Sequence, residues 1–212
     1  MRTKTLLLTA FVGALGFTAA QAQVYSVNAV GYVNKSIPVG FSIVANPLNN
    51  GENKVAEVFG ANPGPLTVYS YSDVGFSINS YDADFEEWLN PDEVINPGEG
   101  FFVLNSGNDA VNITFVGEVP QGDLLNVLPA GFSIRSSQVP QSGKLDTDLG
   151  FPTDEAVTVY QYANGQYSIN SWDTDFEEWS TTSGPVVGVA EGFWVMRDTS
   201  ANWTRAFSTS GE

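Results

Sequence analysis

The chain has 212 residues, with 8 Lys and Arg against 24 Asp and Glu, and no His or Cys. That balance excludes a phosphate-neutralising nucleic-acid binder, disulfide stapling, the usual zinc, copper and haem sites and any Ser-His or Cys-His nucleophile. A hydrophobic fraction of 42% with 13% aromatics is enough for a packed core and argues against disorder.

Arg2 and Lys4 precede an apolar run over residues 6–19, and Ala20-Gln21-Ala22 follows as a small-x-small cleavage signal. The sequence therefore predicts a signal peptide over residues 1–22. The run is too short for a confident membrane span, and no second one follows, so no transmembrane span is expected after cleavage. The mature chain keeps 6 basic and all 24 acidic residues, a net charge of −18. The expected location is the periplasm, the outer surface or the extracellular space.

Residues 24–34, VYSVNAVGYVN, read as one strand or two short ones. The run at 41–45 is a further strand, stopped by Asn46-Pro47 and the Asn49-Asn50-Gly51 turn. Val55, Val58 and Phe59 lie at helical spacing before Gly60, which predicts a turn or two of helix. Residues 66–71 and 76–81 alternate about Asp73-Val74-Gly75 and predict a hairpin. Strands are expected again at 101–104 and 111–116.

The same order then recurs. Gly31 to Phe41 aligns with Gly122 to Phe132 at an offset of 91, and Gly100-Phe-Phe-Val103 with Gly192-Phe-Trp-Val195 at an offset of 92. A repeat of this length is a small domain rather than a solenoid unit. The expected fold is all-β: two tandem homologous sandwich- or barrel-like modules, residues 23–117 and 118–212, packed as a pseudo-symmetric pair.

Residues 77–88, SINSYDADFEEW, and 168–179, SINSWDTDFEEW, are identical at ten of twelve positions, whereas the 46–65 and 137–153 regions have diverged. Three readings compete for this retention. The first is structural: a strand enters, Asp82 turns the chain through its side-chain acceptors, and Phe85 and Trp88 anchor the far side in the core. The second is a Ca2+ site, with Asp82, Asp84 and Glu86, and likewise Asp173, Asp175 and Glu177, at i, i+2, i+4, and Asn79 and Asn170 as added carbonyls. It is not an EF-hand, because Glu87 or Glu178 stands where that loop needs Gly. The third is glycan contact, with Tyr81, Trp88, Trp172 and Trp179, joined by Tyr71 and Tyr162, stacking on sugar rings. Glycosidase chemistry would need two opposed carboxylates, and carboxylate pairs are too abundant here to discriminate. Gly98-x-Gly100 precedes a strand, so it is no dinucleotide fingerprint.

The strings Val24-Tyr-Ser-Val-Asn-Ala-Val-Gly31, Gly40-Phe-Ser-Ile with Ala45-Asn-Pro-Leu48, Pro97-Gly-Glu-Gly-Phe-Phe102 and Ile113-Thr-Phe-Val-Gly-Glu118-Val-Pro-Gln-Gly122 resemble a group of secreted bacterial repeat proteins. Those proteins carry a signal peptide and one or two such β modules. The resemblance implies an exported β protein and carries over no catalytic or ligand residue. The second copy departs from it, with Arg135-Ser-Ser-Gln138 in place of Val44-Ala-Asn-Pro47. The resulting expectation is a non-enzymatic structural or binding protein of the cell surface or extracellular matrix, without a cofactor unless Ca2+ binds. Its expected partners are extracellular polysaccharide or other surface proteins. A Ca2+-dependent glycan-binding module is the alternative, and a glycoside hydrolase a distant third.

Overall fold

The structure, a computed structural model, describes residues 29–210. The predicted signal peptide and the start of the first predicted strand lie outside the described residues. All strand pairs among the described residues are antiparallel.

The first copy contains β1 (Val30–Ile37), β2 (Gly40–Ala45), the short helix α1 (Val55–Val58), β3 (Leu66–Ser72), β4 (Gly75–Asp82), β5 (Glu87–Trp88), β6 (Gly100–Asn105) and β7 (Val111–Glu118). The second contains β8 (Gly122–Leu128), β9 (Gly131–Arg135), β10 (Gly143–Lys144), β11 (Val157–Ala163), β12 (Gln166–Asp173), β13 (Glu178–Trp179), β14 (Val186–Val187), β15 (Phe193–Arg197) and β16 (Ala201–Phe207). Strand order is β2-β6-β3-β4-β5 in one five-stranded sheet and β9-β15-β11-β12-β13 in the other. Each sheet is accompanied by a two-stranded ribbon, β1-β7 or β8-β16. The sequence repeat is therefore a repeat of topology, strand for strand. The β10-β14 pair corresponds to a single bridge, Lys54 to Val94, in the first copy.

The predicted helix is a single turn, and its Val55 and Val58, with Phe59 behind them, are buried as the spacing required. Each copy has its own core between ribbon and sheet. In the first, Ile37, Ile113 and Phe115 of the ribbon meet Val44, Val68 and Phe101 of the sheet. In the second, Leu128 and Trp203 of the ribbon meet Val159, Phe193 and Val195. Ala190 of the second copy belongs to the first core.

The copies touch through backbone. Val44 bridges to Glu191, and Arg135, which stands at the position of Val44 in the repeat, bridges to Glu99, which stands at that of Glu191. Ala45 N donates to Ala190 O at 3.3 Å, and Ser136 N to Gly98 O at 2.9 Å, again the same contact made in each direction. Close approach requires glycine at Gly100 and Gly192. A Cβ on Gly192 would lie 3.2 Å from the Gly100 Cα. Burial at this junction lowers the Arg135 pKa, and the charge of Glu99 opposes that shift.

Candidate functional site

The retained segment is β4, a four-residue loop and β5 in the first copy, and β12, its loop and β13 in the second. Asp82 Oδ1 accepts from Asp84 N at 2.9 Å and Phe85 N at 3.2 Å. Asp173 Oδ1 accepts from Asp175 N and Phe176 N at the same two distances. This side-chain acceptor ties the loop without any ligand. Glu86 and Glu177 close the loops in the left-handed region, at φ 56° and 54°. Tyr81 pairs with Trp88, and Trp172 with Trp179, with ring centroids 5.6 and 5.3 Å apart.

Asp82, Asp84, Glu86, Asp173, Asp175 and Glu177 are all exposed. Among the described residues, no group of three or more acidic side chains is placed to hold a metal ion. Asn79 and Asn170, expected as added metal carbonyls, are buried and tie strand to loop instead. Asn79 Nδ2 donates to Asn90 O at 2.7 Å and Glu93 Oε2 at 2.8 Å, while its Oδ1 accepts from Asn90 N at 3.0 Å. Asn170 Oδ1 accepts from the Thr181 hydroxyl.

Trp88 and Trp179 are core residues, 3% and 8% exposed, so their ring faces meet protein rather than a sugar. Trp172, Trp179 and Glu177 do come together along one cleft of about 350 Å³ that Lys144, Asp146 and Thr181 also line. Phe85 corrects the structural reading. It was expected to anchor in the core, yet it is 76% exposed, as Phe176 is at 75%. The Asp82 turn holds Phe85, and the Asp173 turn Phe176, in the exposed loop at the end of each sheet. Phe85→Ala and Phe176→Ala should each change stability by no more than about 0.5 kcal/mol, measured by denaturant unfolding. A loss of several times that size would place these rings in a packed environment.

The alternation along β4 is as the sequence predicts, and the structure supplies its sense. Asn79 and Tyr81 face the ribbon side, and Phe76 and Ile78 face out, 51% and 57% exposed. Register then puts Phe41, Phe102, Tyr69, Tyr71, Phe76 and Ile78 on one outer face. The second copy presents Phe132, Trp194, Tyr160, Tyr162, Tyr167 and Ile169 at the equivalent positions. The other outward residues of these strands are Ile43, Thr67, Ser80 and Leu104, and Ile134, Thr158, Ser171 and Met196, with Asp82 and Asp173 at the ends of β4 and β12. The charged side chains on this side are confined to those ends, where Asp82 pairs with Glu87 and Asp173 with Glu178.

The rings of the two faces form one network across the junction. Tyr71 lies 4.7 Å from Trp194, and Phe102 lies 6.0 Å from Tyr162, ring centroid to ring centroid. Phe102 and Trp194, equivalent in the repeat, meet each other at 6.1 Å. In the second copy Phe132, Tyr160, Tyr167, Ile169 and Trp194 bound a cavity of about 420 Å³. A separate cleft of about 560 Å³ lies at the junction, where Lys35 Nζ is 3.4 Å from Glu191 Oε1. The alternation over residues 66–71 separates Tyr69 and Tyr71 from Leu66 and Val68, but the rest of the face is not read from the sequence. The available signal was that Phe41, Ile78 and their neighbours keep apolar type in both copies.

No protein-family model, curated protein or solved structure matches this chain.

Proposed function

We propose that the chain is an exported, non-enzymatic structural or binding protein of the cell surface or extracellular matrix, its two modules packed as a pseudo-symmetric pair. One observation carries this reading: an exposed aromatic face that both copies keep. Phe41 and Phe132 are 44% and 49% exposed, and Ile78 and Ile169 are 57% and 54% exposed. Core packing does not require large apolar side chains at such positions, and contiguous exposed apolar surface of this kind marks an interaction site. The net charge of −18 expected of the mature chain disposes the remainder of the surface toward solubility.

The test is retention. The full chain and its Ile78→Asp/Ile169→Asp variant would be expressed with the leader in an exporting bacterium and fractionated. The wild type should stay with the cell-surface and matrix fraction, and the variant should pass into the soluble medium. A wild type found wholly in the soluble medium, at the level of the variant, would sink the reading. The cleft beside Trp172, Glu177 and Trp179 favours a second reading, a glycan-binding module. Release of the retained chain by soluble polysaccharide, with EDTA reporting any Ca2+ dependence, would favour that reading over the first.

A further inference from the structure

We infer that the aromatic outer faces of the two five-stranded sheets form an interface between two copies of this chain. This rests on the reading above and names the partner. An antiparallel sheet in a soluble protein usually has one face on the core and one polar face in water. Here the inner faces are filled by the two cores, and the outer faces are apolar as well. A sheet apolar on both sides is the composition of a sheet packed on both sides, as in stacked sheets whose inward residues interdigitate.

Three observations point to a second copy as the occupant. First, charge: each mature chain, with 6 basic and 24 acidic residues, carries −18, and like charges brought together across an interface oppose association. Over β2, β3 and β6, and over β9, β11 and β15, the outer faces carry no Asp or Glu, and the acids of this side are confined to the far ends, at the Asp82–Glu87 and Asp173–Glu178 pairs. Second, relief: neighbouring rings stand at steep mutual angles, 89° for Phe41 and Phe102 and 90° for Phe132 and Trp194. Rings so inclined make ridges and slots, including the 420 Å³ cavity, into which side chains interdigitate. A flat sugar platform needs coplanar rings. Third, continuity: the contacts of Tyr71 with Trp194 and Phe102 with Tyr162 merge the two faces into one patch. An isologous dimer uses one patch on both subunits.

Sedimentation velocity of the mature chain over a rising concentration series tests this. The wild type should reach twice the monomer mass. Ile78→Asp/Ile169→Asp should stay monomeric over the same range, with association weakened roughly 100-fold or more. Both isoleucines are more than half exposed, so unchanged circular dichroism and thermal midpoint are expected of the variant. Phe76→Asp/Tyr167→Asp, at positions 51% and 50% exposed, repeats the test if the first pair fails to fold. A wild type that stays monomeric throughout overturns the inference, and so does a folded variant that associates as well as the wild type. A monomeric wild type that is still retained at the cell surface would overturn the self-interface and leave the proposed function standing. Saturable binding to an insoluble polysaccharide without self-association would assign the face to a glycan and also overturn it.

Discussion

Arg197→Ala should destabilise the chain by about 3–5 kcal/mol, which for a chain of this size lowers the thermal midpoint by on the order of 10 °C. The guanidinium ends β15, the core strand of the second sheet, and its side chain is 0% exposed. Its Nη1 donates to Pro152 O at 3.0 Å, and its Nη2 lies 2.9 Å from Asp154 Oδ1 and 3.0 Å from Glu155 Oε1. Truncation removes these bonds and leaves a cavity. Arg197→Met keeps most of the volume and removes the desolvation cost of the charge, so it should cost much less. Denaturant unfolding of the two variants checks the order. An alanine variant no less stable than the methionine variant would contradict it.

The same cluster sets an acid dependence. The hydrogen bond from Arg197 lowers the Asp154 pKa. The Thr199 hydroxyl, followed by the charge of Arg197, lowers that of Glu155. A depressed carboxyl pKa stabilises the fold above the unfolded value, about 4, and that contribution is lost as pH falls through the folded value. The wild type should therefore lose more of its thermal midpoint between neutral pH and about pH 3 than Arg197→Met does. Parallel profiles would show that the Arg197 pairing has no part in acid sensitivity.

The second large effect belongs to the junction. A Cβ on Gly192 would lie 2.7 Å from Ile43 Cγ2 and 2.9 Å from Val44 O, and one on Gly100 would lie 2.6 Å from Ile134 Cγ2 and 3.1 Å from Arg135 O. The backbone oxygens cannot rotate aside, so the extra methyl must push the two copies apart. Gly192→Ala and Gly100→Ala should each cost about 1–3 kcal/mol, as overpacking does. Both act on one contact, so the double variant should cost less than the two losses added together. The wild type is expected to unfold in one transition and the variants in two, because each copy retains its own core. A single transition at the wild-type midpoint would mean that the junction does not couple the copies.

Much of the architecture was legible in the sequence. The repeat at offsets 91 and 92 is the repeat of sheet topology, and Asp73-Val74-Gly75 is the hairpin turn between β3 and β4. The sense of the β4 alternation was not legible. A period of two separates Phe76 and Ile78 from Asn79 and Tyr81 but does not say which set faces the core. Hydrophobicity alone favours burying Phe76 and Ile78. The hydrogen bonds of Asn79 to Asn90 and Glu93, made with residues distant in sequence, satisfy its amide inside the fold and decide otherwise. The turn at Asp82 was legible from residue type, whereas the outward swing of Phe85 depends on the left-handed Glu86, a conformation uncommon for glutamate. The Arg197 cluster joins residues more than forty positions apart. Its signal was an arginine closing an apolar strand, where the first copy has Asn105.

What unites these observations is a molecule whose two cores are complete and whose outer sheet faces are still apolar. In the function proposed above, that surface rather than the acidic hairpins makes the contacts. Hydroxyl-radical footprinting tests this most directly, with the chain recovered from the cell-surface fraction that the proposed function expects compared against the same chain purified and dilute. Phe41, Phe76, Phe132, Tyr167 and Trp194 should be protected in the surface fraction and labelled in the dilute chain. Equal labelling of these five residues in both samples would contradict the account.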